Sequence, residues 1–466
     1  MPEAGLSTDV IVCGGGFAGL TAAVSALEAG ARVVLCEKGP EVGGSSVISG
    51  GMIWTFKSLD DLYATVPDGN HIVQQLVFDR FSEDRSWLAS QGAELTDEGP
   101  MLGHGWGQEM DPPQALGVLR DRFVELEGEL LLETALDALA VSDGRIRGIR
   151  VARSDGSIRE LTADAVILAT GGFQGNPELL TRYVVDSPDS LYLRGNPWST
   201  GDAFLAATDI GAAATPGMET FYGHALTAPP ARFSALEFQD VSQYYGRHAV
   251  AINMRGRRFA DESGGLGEEY INSQLARQPG GRGFYVVDRT IAEMEAVIGM
   301  VHTRPILERA RDYSAPVVFA DSLENLADGL AAHGVPSRDS LRTLEEFNAA
   351  CLAQEAPQMS PPRAKNHFPL VNPPFTAVGV KAAITFTMGG LAVDDSCRVL
   401  RRAASSSPIA QSITELRDFR EVPLAGLYAA GCDVGNVHHE SYIGGLATGL
   451  TTGRVAGLAA AAVGSR

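Results

Sequence analysis

Cysteine is scarce in this sequence, and the few cysteines are not arranged to form a metal site or a disulfide framework. There are five cysteines among 466 residues, and an odd number without a C-x-x-C pair fits neither arrangement. Cys13 and Cys36 fall within short apolar runs, where cysteine behaves as a small buried hydrophobic residue. We therefore expect no bound metal and no disulfide framework.

Long uninterrupted apolar runs are also lacking. A membrane-spanning helix needs roughly 18 to 20 consecutive apolar residues. The longest candidate, 446–463, is interrupted by Thr448, Thr451, Thr452 and Arg454, so we predict a buried helix there. The N-terminal stretch shows no basic region followed by the apolar core of a signal peptide. Together these features predict a cytoplasmic protein without a membrane span.

Positive charge is the third scarce property. Lys and Arg number 37 against 57 Asp and Glu, which gives a net charge of −20. Such a chain repels nucleic acid and anionic membrane surfaces, so neither is an expected partner. The net charge says little about a small-molecule substrate, because a local patch can differ in sign from the whole chain.

A glycine-rich motif stands out near the N-terminus. The apolar run 9–13 is typical of a buried parallel strand. It is followed by a G-x-G-x-x-G motif, a helix-like stretch, a second apolar run and then Glu37. In this order the glycines let the backbone approach a pyrophosphate, and the acid accepts hydrogen bonds from a ribose. The motif consists of Gly14, Gly16 and Gly19, with Phe17 and Ala18 before the last glycine.

Three further segments favour FAD over NAD as the dinucleotide. A second glycine-rich segment, 38–46, directly follows Glu37 and can carry the chain along an extended cofactor. The apolar run 163–172 ends in small residues, and so does 426–435, which contains Asp433. We predict that Asp433 binds a ribityl hydroxyl.

At these motifs the sequence resembles the fumarate reductase and succinate dehydrogenase flavoprotein superfamily, which includes the 3-ketosteroid dehydrogenases and the tricarballylate dehydrogenases. The resemblance spans essentially the whole chain, from DVIVCGGGFAGL to GLYAAGCDVG…GGLATG. It implies an α/β fold in which a Rossmann-like FAD-binding domain carries an inserted α+β capping domain. The implied bounds are 1–218 and 387–466 for the two parts of the FAD-binding domain and 219–386 for the cap.

The resemblance also implies which residues bind FAD. The isoalloxazine would lie between the two domains, with the N-terminus of the last helix at its N1/O2 edge, where a helix dipole stabilises negative charge. Some relatives attach FAD to a histidine after the second glycine-rich segment; serines stand there in this chain, so we predict non-covalent FAD. The implied cofactor-binding residues are Gly14, Gly16, Phe17, Ala18, Gly19, Glu37, Lys38, Gly43, Gly44, Ser45, Ser46, Gly50, Gly51, Ala169, Thr170, Gly171, Asp202, Gly431, Asp433, Leu446 and Ala447.

Three departures from the fumarate reductase pattern bear on the substrate. Tyr442 stands where those enzymes have a carboxylate-binding arginine, and Phe386 replaces the histidine of their H-T-M-G-G motif. The segment 263–269 contains no arginine where the proton donor would be. Tyrosine at the Tyr442 position resembles the 3-ketosteroid dehydrogenases, in which it hydrogen-bonds the ketone oxygen.

We therefore predict an FAD-dependent dehydrogenase that introduces a C=C bond next to a ketone in an alicyclic, steroid-like or cyclohexanone-type substrate. Tyr442 would polarise the ketone with a backbone N–H near Gly445, and Phe386 would line the substrate cavity. Tyr270 is the first candidate for the base, with Tyr244 and Tyr245 as alternatives, and Tyr245 is also a candidate substrate contact. His224 would contact the substrate, and Arg194, Arg232 and Arg247 are the arginines that could meet a carboxylate.

Two alternatives stay open on the sequence. One is a tricarballylate-type carboxylate dehydrogenase or ene-reductase, which the segments 192–202 and 384–390 favour. The other is a flavoprotein subunit that passes electrons within a larger complex. In each case a separate electron acceptor is required, and the oligomeric state is open.

Overall fold

The computed structural model describes residues 7–265, 268–297, 301–402 and 422–464. Within them the strands are β1 Ser7–Cys13, β2 Val33–Cys36, β3 Met52–Phe56, β4 Gly99–Met101, β5 Gly105–Glu109, β6 Glu129–Leu131, β7 Thr134–Ser142, β8 Arg145–Arg153, β9 Ile158–Leu168, β10 Tyr192–Leu193, β11 Phe221–Tyr222, β12 Leu226–Thr227, β13 Val250–Asn253, β14 Arg282–Val287, β15 Glu295–Val297, β16 Val301–His302, β17 Val317–Ala320, β18 Phe375–Lys381, β19 Ala383–Ile384, β20 Phe386–Thr387, β21 Arg398–Leu400 and β22 Pro423–Ala429.

The helices of the described residues are α1 Phe17–Glu28, α2 Leu59–Thr65, α3 His71–Ser90, α4 Pro112–Glu125, α5 Pro177–Tyr183, α6 Asp202–Asp209, α7 Phe238–Val241, α8 Glu268–Ala276, α9 Arg289–Ala292, α10 Thr303–Asp312, α11 Leu323–Ala331, α12 Ser337–Leu352 and α13 Gly445–Gly464. Several begin at a side-chain cap that accepts a backbone N–H, which satisfies one of the free donors of the first turn. Asn70, Asp111 and Asn176 do this for α3, α4 and α5.

The central sheet contains strands from both ends of the chain. Its order is β21-β22-β8-β9-β1-β2-β6, with β7 paired to β8. The strands β22, β9, β1, β2 and β6 run parallel, and in register Val12 lies opposite Leu35 and Ile167. The ends of β1 and β9 that follow Asp9 and Asp164 are apolar and buried because helices or other elements cover both faces of such a sheet. The α/β fold class predicted from the sequence is therefore confirmed.

Helices α1 and α13 pack directly against each other over this sheet. Gly449, Gly453 and Gly457 recur every four residues and so lie on one face of α13. A Cβ atom on Gly453 would lie 2.5 Å from the Ala18 carbonyl oxygen, and one on Gly457 would lie 2.3 Å from that of Ala22. The close helix contact therefore requires glycine at these positions.

This packing explains why α13 is so apolar. The stretch Gly445–Val463 is long and apolar enough to cross a membrane, but 67% of its most apolar window is buried inside the protein. Its apolar surface faces α1, α3 and β9. The prediction of a buried helix over 446–463 agrees with this placement.

A second sheet is formed by residues that lie, in the sequence, between the two segments that form the central sheet. It has the order β12-β18-β14-β13, with β17 also paired to β18, and its strands come from residues 226–381. This arrangement supports a cap inserted near the predicted bounds of 219 and 386, which stay predictions. The connecting strands β11 and β20 pair with each other, Tyr222 opposite Phe386, and so place cap-entry and cap-exit residues side by side.

Candidate active site

A cavity of about 520 Å³ extends from the glycine-rich loop after β1 to the N-terminus of α13. One end is lined by the loop, by Glu37 and by the small residues that follow β9. The other end is lined by residues of the cap and by the segment 442–446. The cavity therefore joins the predicted dinucleotide site to the predicted substrate site.

The N-terminus of α1 suits a phosphate group. Its N-cap residue Gly16 makes no side-chain cap hydrogen bond, and the first turn holds no acidic residue. The free backbone N–H groups and the helix dipole can therefore face an anion. Gly14 adopts a φ of +106°, and a Cβ there would lie 2.2 Å from the Ala169 carbonyl oxygen, so the tight approach of this loop requires glycine.

Two side chains at the end of β2 line the same part of the cavity. The Glu37 carboxylate is 6% exposed and accepts hydrogen bonds from the N–H of Gly15 at 2.7 Å and of Gly39 at 2.6 Å. These bonds fix the carboxylate beside the loop, where its remaining lone pairs can accept from a ribose hydroxyl. Lys38 forms an ion pair with Asp202 at 3.0 Å, which ties β2 to the start of α6.

Most of the predicted cofactor-binding residues line the cavity, and the rest support its walls. The lining residues among them are Gly14, Gly16, Phe17, Ala18, Glu37, Lys38, Gly44, Ser45, Ser46, Gly50, Ala169, Thr170, Gly171, Asp202, Gly431 and Leu446. Gly19 and Gly51 instead allow close backbone packing, since a Cβ would lie 1.8 Å from the Gly14 oxygen and 2.0 Å from the Met110 oxygen. Gly43 occupies a turn with φ +126°, and Ala447 is fully buried in α13.

The Asp433 side chain is held at the turn after β9. It does not line the cavity; its carboxylate accepts hydrogen bonds from the N–H and hydroxyl of Thr170 and from the N–H of Gly172. Burial raises the pKa of this carboxyl to about 6, and the same hydrogen bonds act in the opposite direction. Asp433 thus joins the C-terminal segment to this turn, and its ribityl contact stays a prediction.

An aromatic cluster forms the substrate end of the cavity. The Tyr442 ring stacks on Tyr222 with 4.2 Å between centroids, and on His438 with 5.6 Å. Phe386 lies 5.1 Å from Tyr222, and Trp54 contacts Tyr442 edge-on at 5.9 Å. The predicted residues Tyr442 and Phe386 are therefore brought together, and the cluster favours an apolar ring as ligand.

The Tyr442 hydroxyl is a hydrogen-bond donor in this environment. Burial raises its pKa to about 12, partly opposed by a hydrogen bond from the backbone N–H of Gly445. The hydroxyl therefore keeps its proton at neutral pH. The Gly445 N–H, the first of α13, therefore donates to the Tyr442 oxygen, and both residues line the cavity.

His224 is paired with a tyrosine that the sequence did not single out. The Tyr222 hydroxyl lies 2.9 Å from His224 Nε2, and both side chains line the cavity. Burial lowers the pKa of His224 well below 6.5 and raises that of Tyr222 well above 10. The histidine is thus neutral, and in the tautomer protonated at Nδ1 its Nε2 can accept the tyrosine proton.

Two predicted tyrosines lie outside the cavity. Tyr270 packs against Gly264 and Gly265. Tyr245 is fully buried in the cap, where its hydroxyl donates to Gln243 Oε1 at 3.1 Å. The structure therefore does not bring the predicted base Tyr270 or the predicted substrate contact Tyr245 into the cavity; Tyr244 lines it instead.

Two carboxylates in the cavity wall were missed. Glu268 and Glu269 begin α8 and are 3% and 7% exposed. Glu268 Oε1 accepts from the N–H of Arg247 at 3.2 Å, and Glu269 Oε1 accepts from the N–H of Tyr442 at 3.3 Å. Two adjacent acids at the start of a helix were the feature of the sequence that could have identified them. Residues 266–267, directly before these acids, lie outside the described part of the chain.

The three predicted arginines differ in position. Arg194 is 8% exposed and lines the cavity, and Arg247 lines it as well. Arg232 is exposed on the cap surface. Within the described residues no group of three or more His, Cys, Asp or Glu side chains could hold a metal ion.

Comparison with known proteins identifies the family. Residues 9–446 match the model of the FAD binding domain family. This chain belongs to that family. The predicted superfamily and the FAD cofactor are thereby confirmed, and the flavoprotein is an oxidoreductase acting on CH–CH or C=C bonds.

Relatives of the flavoprotein act on several substrates. It is 26% identical over 485 residues to "Fumarate reductase (cytochrome)" of Shewanella frigidimarina, covering 98% of this chain and 77% of the relative. It is 25% identical over 556 residues to "4-oxocyclohexanecarboxylate 2-dehydrogenase" of Sinomonas cyclohexanicum, covering 94% and 90%. A 3-ketosteroid delta1-dehydrogenase from Sterolibacterium denitrificans shares the fold, with a TM-score of 0.73, 19% identity and 98% and 99% coverage.

The buried carboxylate of Glu268 makes the stability of the flavoprotein depend on pH. Burial raises its pKa from 4.5 to about 8, and the nearby charge of Glu269 adds to this while Arg247 opposes it. The folded state then holds the proton up to about pH 8, whereas the unfolded chain releases it near 4.5. This stabilising effect is complete below about pH 4.5 and is lost as the pH rises to about 8.

Replacing Glu268 with glutamine should therefore flatten the fall in stability between pH 5 and 8. The difference at pH 8 is at most about 5 kcal/mol, from roughly 1.4 kcal/mol for each pKa unit. Thermal unfolding of the FAD-loaded protein across this pH range measures it, with the exposed Glu355→Gln variant as control. Parallel pH profiles for Glu268→Gln and the wild type would contradict the raised pKa.

Proposed function

We propose that the flavoprotein introduces a C=C bond α,β to a ketone in an alicyclic ring. The observation that carries the proposal is the Tyr442 hydroxyl at the aromatic end of the cavity, which accepts a hydrogen bond from the Gly445 N–H. FAD, when bound, accepts the hydride from the β-carbon. The residues of this chain hold the ketone and remove the proton from the α-carbon.

The ketone oxygen would accept a hydrogen bond from the Tyr442 hydroxyl, which is polarised by the Gly445 N–H that donates to its oxygen. Tyr442 is a neutral donor, and the N-terminus of α13 adds its positive dipole end. Negative charge develops on this oxygen as the α-proton leaves, so donors aimed at it in a dry site lower the barrier. The high pKa of Tyr442 suits this role, because a tyrosine that stays protonated can donate throughout the reaction.

The α-proton would pass to the pair formed by Tyr222 and His224. The Tyr222 oxygen accepts the proton while its own proton moves to His224 Nε2, along their 2.9 Å contact. The Tyr222–His224 pair is neutral at the start. For each hydride that the substrate loses from its β-carbon, His224 gains one proton. This relay replaces Tyr270, which the structure keeps out of the cavity, and retains His224 as a catalytic candidate.

The residues at the carboxylate-binding positions favour a ketone over fumarate as substrate. Tyr442 and Phe386 form part of the aromatic cluster and supply no positive charge. The relative named for 4-oxocyclohexanecarboxylate shows that a cyclohexanone-type ketone is compatible with a family member of similar length. The fumarate and urocanate reductases among the relatives support the alternative, a carboxylate dehydrogenase or ene-reductase.

Anaerobic reduction of the bound flavin tests the proposal. The oxidised protein is mixed with cyclohexanone, 4-oxocyclohexanecarboxylate, a saturated 3-ketosteroid, succinate and tricarballylate, and the flavin absorbance is followed. We expect bleaching by at least one cyclic ketone and none by succinate. Bleaching by the polycarboxylates alone would exclude the ketone reaction and establish the alternative.

The flavin should be released intact by acid. The segment that carries a histidine in covalently flavinylated relatives contributes Ser45 and Ser46 to the cavity here, and serine forms no flavin linkage of that kind. Precipitation with trichloroacetic acid should leave the yellow colour in the supernatant and a colourless pellet. A fluorescent flavin band on the denatured chain would show that attachment is covalent.

A further inference from the structure

Arg194 is a buried cation in the cavity wall that has few partners. The residue follows β10 and is 8% exposed. Its guanidinium carbon lies 4.0 Å from the centroid of the Phe238 ring, and Nη1 donates to Thr385 Oγ1 at 2.8 Å. Nε is buried and has no hydrogen-bond partner among the described residues. The side chain is therefore held in place by a ring and a hydroxyl while part of its donor capacity is unused.

No carboxylate of the described chain forms an ion pair with Arg194. The protein pairs its other deeply buried arginines: Arg258 and Arg363 both contact Glu262, at 2.6 and 3.0 Å. A guanidinium removed from water without a counter-charge is unfavourable by several kcal/mol, so such a group is normally paired. The missing counter-charge at Arg194 is best explained by a ligand.

The cavity brings this charge near the proposed ketone site. The Arg194 charge acts on Tyr222, His224 and Tyr442, in each case as a smaller influence than burial. Arg194 thus lines the same cavity as the aromatic cluster but is separate from Tyr442 and Gly445. A guanidinium presents two parallel N–H donors that match a carboxylate.

We propose that Arg194 binds a carboxylate group of the substrate, so that the substrate is a cyclic keto acid. This inference rests on the proposed function for the ketone part of the molecule. The carboxylate neutralises the buried guanidinium through the part of the side chain that lines the cavity. It thereby orients the ring, since one end is held by Arg194 and the ketone by Tyr442.

A ligand without a ketone tests the carboxylate site separately from the ketone chemistry. Cyclohexanecarboxylate and its methyl ester are titrated into the FAD-loaded protein, and binding is read from the change in the flavin spectrum. We expect the acid to bind the wild type more tightly than the ester. In Arg194→Gln the acid should bind roughly 10- to 100-fold more weakly, as expected for the loss of a charged hydrogen-bonded pair. Arg194→Lys should retain part of the affinity.

The control variant is Arg232→Gln, which removes a positive charge from the exposed cap surface and should bind the acid as the wild type does. Three results would overturn the proposal: equal affinity of the wild type for acid and ester, unchanged acid binding in Arg194→Gln, or loss of FAD from both Arg194 variants, which would assign the guanidinium to the cofactor. None of these depends on whether a ketone reduces the flavin, so the proposed function can fail or stand independently.

Discussion

Replacing Tyr442 with phenylalanine should lower the rate of flavin reduction by a cyclic ketone about 10²-fold or more. The change removes the side-chain donor to the developing enolate oxygen, and the loss of one such donor typically has this effect. The ring of Tyr442 stays stacked on Tyr222 and His438, so the cavity and FAD binding should be preserved. Stopped-flow measurement of flavin absorbance at saturating ketone gives the rate.

A matched control is Tyr428→Phe. Tyr428 is 4% exposed and its hydroxyl donates to the Ala459 carbonyl at 3.3 Å, away from the cavity. This variant loses a buried tyrosine hydroxyl without changing the proposed site, so its rate should match the wild type. If Tyr442→Phe reduces its flavin as fast as Tyr428→Phe does, Tyr442 does not polarise the ketone.

The second large effect is expected at the proton acceptor. Tyr222→Phe breaks the contact with His224 and should slow flavin reduction by about 10²- to 10⁴-fold, the range for general base catalysis. The ketone concentration at half-saturation should change little, because the Tyr442 hydroxyl remains. His224→Gln should produce a similar loss of rate, since the relay then has no final acceptor.

Tyr245→Phe is the control for this pair, because its hydroxyl bonds Gln243 in the core of the cap and does not reach the cavity. Its rate should stay at the wild-type level. If the flavin of Tyr222→Phe is reduced as fast as that of Tyr245→Phe, while the flavin of Glu268→Gln is no longer reduced by the ketone, the base is the Glu268 carboxylate. Its pKa of about 8 would suit that role.

The cofactor end of the site was predictable from sequence because its signals are local. The glycines of the loop after β1, and Glu37 at the end of β2, act through backbone geometry within one βαβ unit. The structure places these residues along the cavity as expected. The departures at Tyr442 and Phe386 were also visible, because each occupies a fixed place within a motif.

The substrate end was harder to predict because it depends on which way side chains of the cap point. Tyr244 and Tyr245 are neighbours in sequence, yet only Tyr244 faces the cavity, since successive side chains in this segment point in different directions. Asp433 was assigned by its motif, but its carboxylate turns to the N–H groups after β9. Tyr222 pairs with Phe386, which is far away in the chain. No local sequence pattern indicates that these two residues are neighbours.

The position of β22 in the central sheet affects how the protein is made. β22 pairs with β8 and β9, and α13 covers α1, so both ends of the chain are needed to complete one domain. Ribosomes synthesise the phosphate-binding loop more than 400 residues before this strand and helix. A nascent chain that has not yet reached β22 therefore carries the loop without the wall that closes over the cofactor.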